Sequence, residues 1–339
     1  MKAVERPSLK ALNSFGLEAS AALLLAVESE EDVLSLPGYD AACDLVLGGG
    51  SNVVLAGDVP GTVFHIRIPG RHVVDEQGDH AMVEIGAGEG WHSLVRWSLE
   101  RGYSGLENLS LIPGTVGAAP LQNIGAYGVE LAEVLDSVTA WDWQRAGWVN
   151  FDRDDCRLGY RDSLFKSGCP GRFLITSIRL RLERAFRPRL DYAGLREELS
   201  AAGVGRPTAL DVSDAIIRIR QRRLPDPATV GNAGSFFKNP VVARAEADAL
   251  QSRFPGLPAW PQGDGRTKLS AAWMVERCGL KGLREGDAAV SERHALVLVN
   301  RGAATGTQVI RLARRIQAIV AEAFGILLEP EPRLVEFQR

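Results

Sequence analysis

Residues 112–128 of the chain read IPGTVGAAPLQNIGAYG, and the interpretation of the rest of the sequence starts from this segment. Small residues form two clusters in it, the amide pair Gln122-Asn123 lies between them, and no side chain is charged. Glycine and alanine allow a backbone to approach a bound molecule closely, so that its N–H groups act as hydrogen-bond donors. The length and density of the pattern favour a loop against a flat ring and a diphosphate over a buried turn between helices.

A second glycine-rich loop lies at residues 47–55, LGGGSNVVL. Apolar residues at 45–47 and 53–55 predict a short strand on each side of it. The loop lacks the Lys-Ser/Thr pair of a P-loop, so nothing in it would grip a β- or γ-phosphate together with Mg²⁺. Its backbone N–H groups can still hold a pyrophosphate as a nest, but a plain hairpin turn explains the segment equally well.

A third glycine-rich stretch, GAGEGW at residues 86–91, resembles a dinucleotide-binding fingerprint. It follows a predicted strand, precedes a predicted helix, and has Glu107 about 20 residues further on. Trp91, however, stands where close packing of strand on helix requires glycine or alanine. We therefore interpret the stretch as a simple turn between a strand and a helix.

Length and charge set limits on the class of protein. The chain has 339 residues and a formal net charge of −3, which indicates two or three domains and no general affinity for nucleic acid. The first residues carry no secretory signal, and the apolar run at Ala21–Val27 is far shorter than the roughly 20 residues that span a bilayer. We expect a cytoplasmic protein that does not enter a membrane.

The spacing of cysteines and histidines indicates neither a disulfide framework nor a metal site. The four cysteines contain no CxxC pair, which favours free thiols in a reducing compartment. The five histidines show neither HxH nor HxxxH spacing, so we expect no metal.

Hydrophobic periodicity predicts both strands and helices. The predicted strands are at residues 45–47, 53–55, 62–68, 82–88, 137–143, 173–182 and 295–300. The predicted helices are at residues 29–36, with Ser29 as a possible N-cap, and at 91–101, 211–223, 243–252, 269–278 and 307–324. The breaker Leu224-Pro225-Asp226-Pro227 follows one of these helices and is the best candidate for a domain boundary.

Five ordered motifs resemble those of one enzyme family, the UDP-N-acetylenolpyruvoylglucosamine reductases, over nearly the whole chain. They are LGGGSNVVL at 47–55, GLENLSLIPGTVGAAPLQNIGAYG at 105–128, LGYRDSLFK at 158–166, GNAGSFFKNP at 231–240 and LEPEPR at 328–333. One glycine loop would be a weak indication, whereas five motifs in order with matching gaps are specific. Residues 254–265, FPGLPAWPQGDG, resemble the longer form of the family, which has an extra loop over the substrate.

The resemblance implies an α+β protein. It implies an FAD-binding part of the vanillyl-alcohol oxidase (PCMH-type) superfamily in two subdomains, followed by a C-terminal α+β substrate-binding domain. The expected boundaries are residues 1–69 with 325–339 for the first FAD-binding subdomain, 70–224 for the second, and 225–324 for the substrate-binding domain.

The resemblance also implies a reaction. Members of the family reduce non-covalently bound FAD with NADPH and release NADP⁺. They then reduce UDP-N-acetylglucosamine enolpyruvate to UDP-N-acetylmuramate, which serves peptidoglycan synthesis and, through it, cell shape and division. We therefore expect a cytoplasmic flavoprotein that acts as a monomer without nucleic acid or membrane partners.

Three residues match the family's catalytic positions. Arg161 is expected to bind the substrate carboxylate on which negative charge develops, because a guanidinium binds a carboxylate through two parallel hydrogen bonds. Glu331 is expected to work with Arg161 there, in its protonated form. Ser235 matches the proton donor, since a hydroxyl suffices as an acid against an enolate when it is held in the right place. Each residue alone has a simpler reading: an ion pair between Arg161 and Asp162, a turn serine, and a solvated glutamate.

The resemblance extends to cofactor and substrate contacts. The expected cofactor-binding residues are Gly48, Gly50, Ser51, Asn52, Ile112, Pro113, Gly114, Thr115, Gly117, Ala118, Gln122, Asn123, Gly125, Ala126 and Tyr127. The expected substrate-binding residues are Tyr160, Tyr192, Arg223, Lys238, Asn239, Trp260 and His294. Three of these depart from the family: Arg223 replaces a lysine, Trp260 a tyrosine of the lid, and His294 a glutamine. The lid contacts differ accordingly, because an indole nitrogen cannot accept a hydrogen bond.

Two other functions are compatible with parts of the pattern. The glycine loops would also serve an FAD-dependent oxidase of the same superfamily, although no histidine or cysteine stands at a typical covalent-flavin site. A nucleotide-sugar or nucleic-acid binding module without turnover is the other alternative. The arginines near residue 220 favour a grip on a nucleotide diphosphate combined with a solvated helix face over nucleic acid; they are Arg218, Arg220, Arg222 and Arg223.

Overall fold

A computed structural model describes residues 1–337 of the chain, which fall into two compact units. Unit 1 contains residues 1–7, 21–50 and 59–222, and unit 2 contains residues 8–20, 51–58 and those from 223 onward. The chain therefore passes from one unit to the other repeatedly rather than completing one before it begins the next.

Strands and short helices alternate along the described residues. The strands are β1 Lys2–Glu5, β2 Ala21–Val27, β3 Leu45–Leu47, β4 Val53–Leu55, β5 Val59–Ile66, β6 Arg71–Gln77, β7 His80–Gly86, β8 Gly125–Ala126, β9 Val129–Glu130, β10 Leu135–Asp142, β11 Gly147–Asp152, β12 Phe173–Glu183, β13 Asn232–Ser235, β14 Val241–Ala243, β15 Ala259–Pro261, β16 Arg266–Leu269, β17 Arg284–Glu285, β18 Ala288–Val290, β19 Val297–Asn300 and β20 Arg333–Val335. The α-helices are α1 Glu30–Leu34, α2 Trp91–Glu100, α3 Leu195–Ala201, α4 Ala209–Arg223, α5 Arg244–Arg253, α6 Ala271–Arg277 and α7 Gly306–Phe324.

Unit 1 contains a mixed sheet and an antiparallel sheet. The mixed sheet has the strand order β1-β2-β5-β3, with β5 parallel to both β2 and β3. The antiparallel sheet has the order β11-β10-β12-β7-β6. Side chains from both sheets and from α2 share one core, in which Phe64, Ile85, Leu94 and Ile178 are fully buried. Alternation of apolar residues along these strands places one face of each in that core.

Helix α2 shows why the sequence predicted this part of the fold. Trp91, Leu94, Val95 and Leu99 recur at helical spacing and are all buried, whereas Glu100 is exposed. Full burial of each large apolar side chain contributes on the order of 2 kcal/mol. The helix ends before Gly102, whose φ of +80° suits glycine. The predicted helix at 91–101 is confirmed.

Unit 2 is built around helix α7 and three groups of strands. The strand orders are β13-β19-β18-β17 and β14-β16-β15, and β4 pairs in parallel with β20. Helix α7 begins at the N-cap Thr305, which forms a capping box with Gln308, and ends at Gly325, with φ +74°. Its apolar face, which includes Leu312 and Ile316, is buried in the core of this unit.

The structure confirms most predicted elements and corrects one interpretation. Ser29 caps α1 by accepting the N–H of Asp32, as predicted. The hairpin interpretation of residues 47–55 is wrong, because β3 pairs with β5 in unit 1 while β4 pairs with β20 in unit 2. The sequence patterns did not predict every element, and strand β2 and helix α3 are among those that they missed. The apolar run that forms β2 pairs with β1 and β5.

Cysteine chemistry agrees with the prediction of free thiols. The four cysteines, Cys43, Cys156, Cys169 and Cys278, are all free. Burial raises the pKa of Cys156 to about 12, so this thiol stays protonated and unreactive at neutral pH. Within residues 1–337, no helix is both long enough and apolar enough to cross a bilayer.

A buried carboxylate at the end of β10 gives a test of the fold of unit 1. The Asp142 side chain is 0% exposed and receives the Arg172 fork, with Nη2 at 2.6 Å from Oδ2 and Nε at 3.1 Å from Oδ1. Hydrogen bonding from Arg172 holds the pKa of Asp142 below its ordinary value despite burial. We expect Asp142→Asn to lower the free energy of unfolding by about 2 kcal/mol at pH 7, measured by denaturant titration.

The same pair has a definite pH dependence. The pKa of Asp142 is lowered in the folded protein, so its contribution to the free energy of unfolding is complete above the ordinary carboxyl range. This contribution is lost as the pH falls through the lowered pKa. The difference between wild type and variant should therefore shrink on acidification. Asp264, which pairs with Arg266 at the surface, is the matched control, and Asp264→Asn should leave the unfolding midpoint unchanged. Equal changes in the unfolding midpoint for Asp142→Asn and Asp264→Asn would contradict the stabilising role of the buried Asp142–Arg172 pair.

Candidate active site

The segment GNAGSFFKNP forms a bulged strand in unit 2. Strand β13 pairs with β19 at Asn232 and at Ser235, and the register shifts between these two pairs. Gly234, with φ +71°, forms the bulge, and its N–H is bound by Asn232 Oδ1 at 2.9 Å. Asn232 is itself buried and donates to Val230 O at 2.8 Å. The small residues before Ser235 therefore form a bulge that sets the direction of the serine.

The two phenylalanines after Ser235 anchor the segment. Phe236 is 0% and Phe237 1% exposed, and their ring centroids lie 5.2 Å apart. Phe236 also contacts Phe15 edge to face, with ring centroids 6.4 Å apart. Ser235, by contrast, is only half-buried. The hydroxyl therefore lies at the end of a strand that is fixed from behind by the core.

The structure brings Glu331 next to Ser235 within unit 2. The N–H of Glu331 donates to Phe236 O at 2.8 Å, and the N–H of Lys238 donates to Glu329 O at 2.9 Å. These bonds pair the segment after Ser235 with the segment LEPEPR in antiparallel fashion. Two of the three predicted catalytic residues thus lie on neighbouring, hydrogen-bonded backbones, although about a hundred residues separate them in the sequence.

Loop residue Asn52 supports this arrangement from a third segment of unit 2. Its Nδ2 donates to Glu331 O at 3.3 Å, and its carbonyl accepts the N–H of Arg333 at 3.0 Å. Lys238 Nζ lies 3.0 Å from Glu329 Oε2, and Asn239 Oδ1 accepts the N–H of Ala271 at the start of α6. Both Lys238 and Asn239 therefore have structural contacts in addition to the substrate contacts predicted for them.

Arg161, the third predicted catalytic residue, belongs to unit 1. Its Nη2 donates to Gly125 O at 2.7 Å, and its guanidinium carbon lies 5.4 Å from the centre of the Tyr160 ring. Its φ of +56° is costly for a residue with a Cβ, and such strain is typical of functional sites. Asn123 Nδ2 reaches Gly159 O at 3.1 Å, close to the same turn. Arg161 is therefore fixed against the loop at residues 112–128.

Within unit 1, the glycines at residues 48–50 pack against the loop at residues 112–128. A Cβ added at Gly48 would clash with Thr115 Oγ1, and one added at Gly49 would lie 3.0 Å from Gly114 Cα. Gly50, with φ +59°, turns the chain away from this contact. Close approach of two backbones thus explains the glycines at 48 and 49, which lie against Gly114 and Thr115.

The stretch at residues 86–91 is a turn between β7 and α2, as predicted. Its glycines at 86 and 88 allow close packing. A Cβ at Gly86 would clash with the backbone of Ile68 and Pro69, and one at Gly88 with the backbone of Arg67. Glu107, which stands where a ribose ligand would be expected, is buried and accepts the N–H of Gly105 at 2.7 Å. Burial raises the pKa of Glu107 above its ordinary value.

Comparison with known proteins identifies the family. Residues 21–147 match the FAD binding domain, and residues 226–335 match the UDP-N-acetylenolpyruvoylglucosamine reductase C-terminal domain. The reductase of Pseudomonas aeruginosa is 53% identical over 333 residues, which cover 97% of this chain and 98% of the relative. The reductase of Azoarcus sp. is 54% identical over 331 residues, with coverage of 96% and 95%. The chain belongs to the UDP-N-acetylenolpyruvoylglucosamine reductase family.

A solved structure of the family agrees in fold. The UDP-N-acetylenolpyruvylglucosamine reductase of Thermus caldophilus aligns over 99% of this chain and 98% of its own, with a TM-score of 0.66 and 27% identity. The resemblance seen in the five motifs is therefore confirmed. So is the fold class, which combines an FAD binding domain with the C-terminal domain of the reductases.

The residues present fit the FAD that this family's binding domain holds. Thr115 Oγ1 is buried and, within residues 1–337, has no hydrogen-bond partner. A buried hydroxyl without a partner costs free energy, which a polar ligand in contact with it would offset. It lies where the two glycine loops meet, at the position expected for a diphosphate or a flavin ring.

The arginines of helix α4 do not share one environment. Arg218 and Arg222 both bind Glu198, at the solvent side of α4. Arg220 does not share that solvated face, because its Nε is buried without a hydrogen-bond partner among residues 1–337. Burial lowers the pKa of its guanidinium, and interaction with Tyr127 opposes this. Its position four residues after the buried Ile216 was the available indication, because these two residues share a helix face.

The predicted substrate residues of the reductase fall in both units. In unit 1 the Tyr192 ring lies 4.6 Å from the Tyr127 ring, so a predicted substrate residue contacts a predicted cofactor residue. In unit 2 burial lowers the pKa of His294, and the charges of Arg223 and Lys281 lower it further. His294 is thus neutral at pH 7, with Nδ1 accepting the N–H of Leu296 at 3.2 Å.

The tryptophan predicted for the lid lies on β15 of unit 2. Trp260 is 45% exposed and pairs with Lys268 on β16. Its carbonyl accepts a hydrogen bond from Gln262 Nε2 at 2.8 Å. The contact of this exposed indole with a ligand stays a prediction.

Proposed function

We propose that this chain reduces UDP-N-acetylglucosamine enolpyruvate to UDP-N-acetylmuramate with electrons from NADPH, through non-covalently bound FAD, in peptidoglycan precursor synthesis. The observation that carries the proposal is the match to the reductases along nearly the whole chain. The pairing of the Ser235 and Glu331 segments supports it, because the two motifs that contain these residues are joined by backbone hydrogen bonds.

The reaction adds one hydride and one proton across the enolpyruvyl double bond. When bound, reduced FAD would supply the hydride that is added to the terminal carbon, and the residues of this chain would bind and orient the substrate. Negative charge then develops on the substrate carboxylate and the carbon next to it, as an enolate. We assign to Arg161 the binding of this carboxylate, since its guanidinium carries a fixed charge and is already held by Gly125 O. A preorganised donor of this kind lowers the barrier by about 3 kcal/mol.

We assign the proton to Ser235. Its Oγ gives a proton to the carbon next to the carboxylate, which completes the addition and leaves a saturated lactyl ether. The bulge at Gly234 and the buried phenylalanines hold the hydroxyl in place, so little motion is needed at the moment of transfer. Glu331 in its protonated form would work with Arg161 at the carboxylate.

The remaining assignments follow the same proposal. The residues at 48–52 and 112–127 hold FAD. The substrate residues Tyr160, Tyr192, Arg223, Lys238, Asn239, Trp260 and His294 hold the UDP-sugar. We also propose the three-domain division at residues 69/70, 224/225 and 324/325, action as a monomer in the cytoplasm, and a role through peptidoglycan in cell shape and division.

Purified protein provides the direct test. It should be yellow and should oxidise NADPH rapidly only when UDP-N-acetylglucosamine enolpyruvate is present, followed at 340 nm with the product identified by mass spectrometry. Colourless protein that cannot be reconstituted with FAD would exclude the proposal. Rapid reoxidation of the reduced flavin by O₂ would instead favour an oxidase. Tight UDP-sugar binding without turnover would favour a binding module.

A further inference from the structure

The first turn of helix α2 forms hydrogen bonds with the segment that leads into the loop at residues 112–128. Trp91 Nε1 donates to Leu109 O at 3.0 Å, and the backbone N–H of Trp91 donates to Gly114 O at 3.0 Å. Between these two bonds, His92 Nδ1 accepts the N–H of Leu111 at 3.0 Å. The predicted cofactor residues Ile112, Pro113 and Gly114 follow directly, so two adjacent side chains of one helix bracket the start of the loop.

Leu111 needs to be held. Its φ of +58° places it in the left-handed region, which is unfavourable for a side chain with a Cβ. Such a conformation persists only where neighbouring bonds enforce it. The His92 imidazole supplies the hydrogen bond to the N–H of Leu111 itself, and Ser110 is fixed on the other side by its hydroxyl contact of 2.8 Å with Ser213 of α4.

We propose that His92 is a positioning residue for the cofactor. Its neutral imidazole accepts the Leu111 N–H, keeps the strained turn at 111 formed, and thereby orients the backbone of residues 112–117 toward FAD. The reference to FAD rests on the proposed function. The hydrogen bond, the strained turn and the position of the loop behind it rest on unit 1 alone.

The role requires the unprotonated form of His92, and its surroundings favour that form. Burial lowers the pKa of His92, and two positive charges lower it further: Arg96 on the same helix and Arg220 on α4. Arg96 is paired with Asp214, also on α4, at 2.7 Å. When Nδ1 is protonated it becomes a donor and can no longer accept the Leu111 N–H. The hydrogen bond between His92 and Leu111 should therefore be lost at acidic pH.

Two substitutions separate hydrogen bonding from mere bulk. His92→Asn keeps an acceptor near the position of Nδ1 but cannot be protonated, whereas His92→Leu fills space without an acceptor. We expect FAD to bind His92→Leu about tenfold or more weakly than wild type at pH 7.5, and His92→Asn within about threefold of wild type. Titration of FAD fluorescence measures the affinity. In wild type the affinity should fall as the pH is lowered through the depressed pKa of His92, and in His92→Asn this fall should be smaller.

A second readout needs no cofactor. Hydrogen exchange of the peptide that covers residues 109–117, in protein stripped of FAD, should be faster in His92→Leu than in wild type and His92→Asn. His72→Leu, at an exposed histidine of β6, is the control and should change neither measurement.

The outcomes are distinct. Equal FAD affinity and equal exchange in wild type and His92→Leu would overturn the proposal, as would a His92→Asn variant as impaired as His92→Leu. If wild type binds no FAD, the proposed function fails, and the exchange measurement alone decides whether His92 holds the turn. If His92→Leu does not fold, comparison of the FAD affinities of wild type and His92→Asn over a descending pH series decides.

Discussion

Replacement of Ser235 by alanine is expected to leave the reduction of bound FAD by NADPH intact and to slow the subsequent oxidation by substrate by a factor of about 10² to 10⁴. Only the second half-reaction transfers a proton to carbon, so only this step needs the hydroxyl. The backbone should not change, because the bulge depends on Asn232 and Gly234 and the anchoring on the two phenylalanines.

Stopped-flow absorbance at 450 nm, with each half-reaction started separately, measures the effect. Ser252→Ala is the matched control, because this serine is exposed and its hydroxyl only bonds Asp248 O within helix α5. It should leave both half-reactions unchanged. Equal slowing of the two half-reactions in Ser235→Ala would show that the serine supports the site in general and does not act as the acid.

Replacement of Arg161 by lysine is expected to lower kcat/KM for the enolpyruvyl substrate by about 10² to 10³, the effect of losing one preorganised donor. Lysine keeps the charge but loses the planar fork that holds a carboxylate through two hydrogen bonds. The bond to Gly125 O is also weakened, so the charge is less well placed. Reduction of FAD by NADPH should be nearly unaffected, because no substrate carboxylate takes part in it.

Arg157 offers a close control for this substitution. It also has a left-handed backbone, with φ +46°, but it is exposed and lies only four residues before Arg161. Arg157→Lys likewise places a lysine in a left-handed backbone conformation. It should nevertheless leave steady-state kinetics unchanged. Loss of activity in both variants would attribute the effect to the strained turn, and no loss in Arg161→Lys would remove the residue from the reaction.

Elements with local patterns could be predicted from the sequence. Helix α2 and helix α7 were found because their apolar residues recur at helical spacing, and α1 because Ser29 precedes a run of acidic residues. The long strands β10 and β12 were found from alternation and β-branched residues. In each case the residues that decide the structure lie within one or two turns or a single strand.

Features that depend on distant partners could not be predicted. Strand β4 was expected, but not its partner β20, since nothing near residue 53 specifies pairing with residue 333. For the same reason the hairpin alternative could not be rejected. Arg220 and His92 were missed as individual residues. Arg220 interacts with Tyr127, and His92 accepts a hydrogen bond from Leu111. Both partners lie close only in the tertiary fold.

The candidate site was located by the motifs and explained by the structure. The sequence resemblance selected Ser235, Glu331 and Arg161, but no spacing rule would have placed residue 331 beside residue 236. The physical reasons for the small residues also came only from the fold. Gly234 forms a bulge, Gly48 avoids the hydroxyl of Thr115, and Gly231 avoids the carbonyl of Phe15.

The parallel pairing of β4 with β20 sets an order of events during synthesis on the ribosome. Asn52 and Glu331, which are hydrogen-bonded at this pairing, are 279 positions apart in the chain. At about 5–20 residues per second, the segment at 51–58 waits roughly 15 to 55 s for its partner to be made. During that time an apolar strand edge at Val53–Leu55 is open to other chains. We therefore expect the segment at 51–58 to be a site at which chaperones protect the nascent chain.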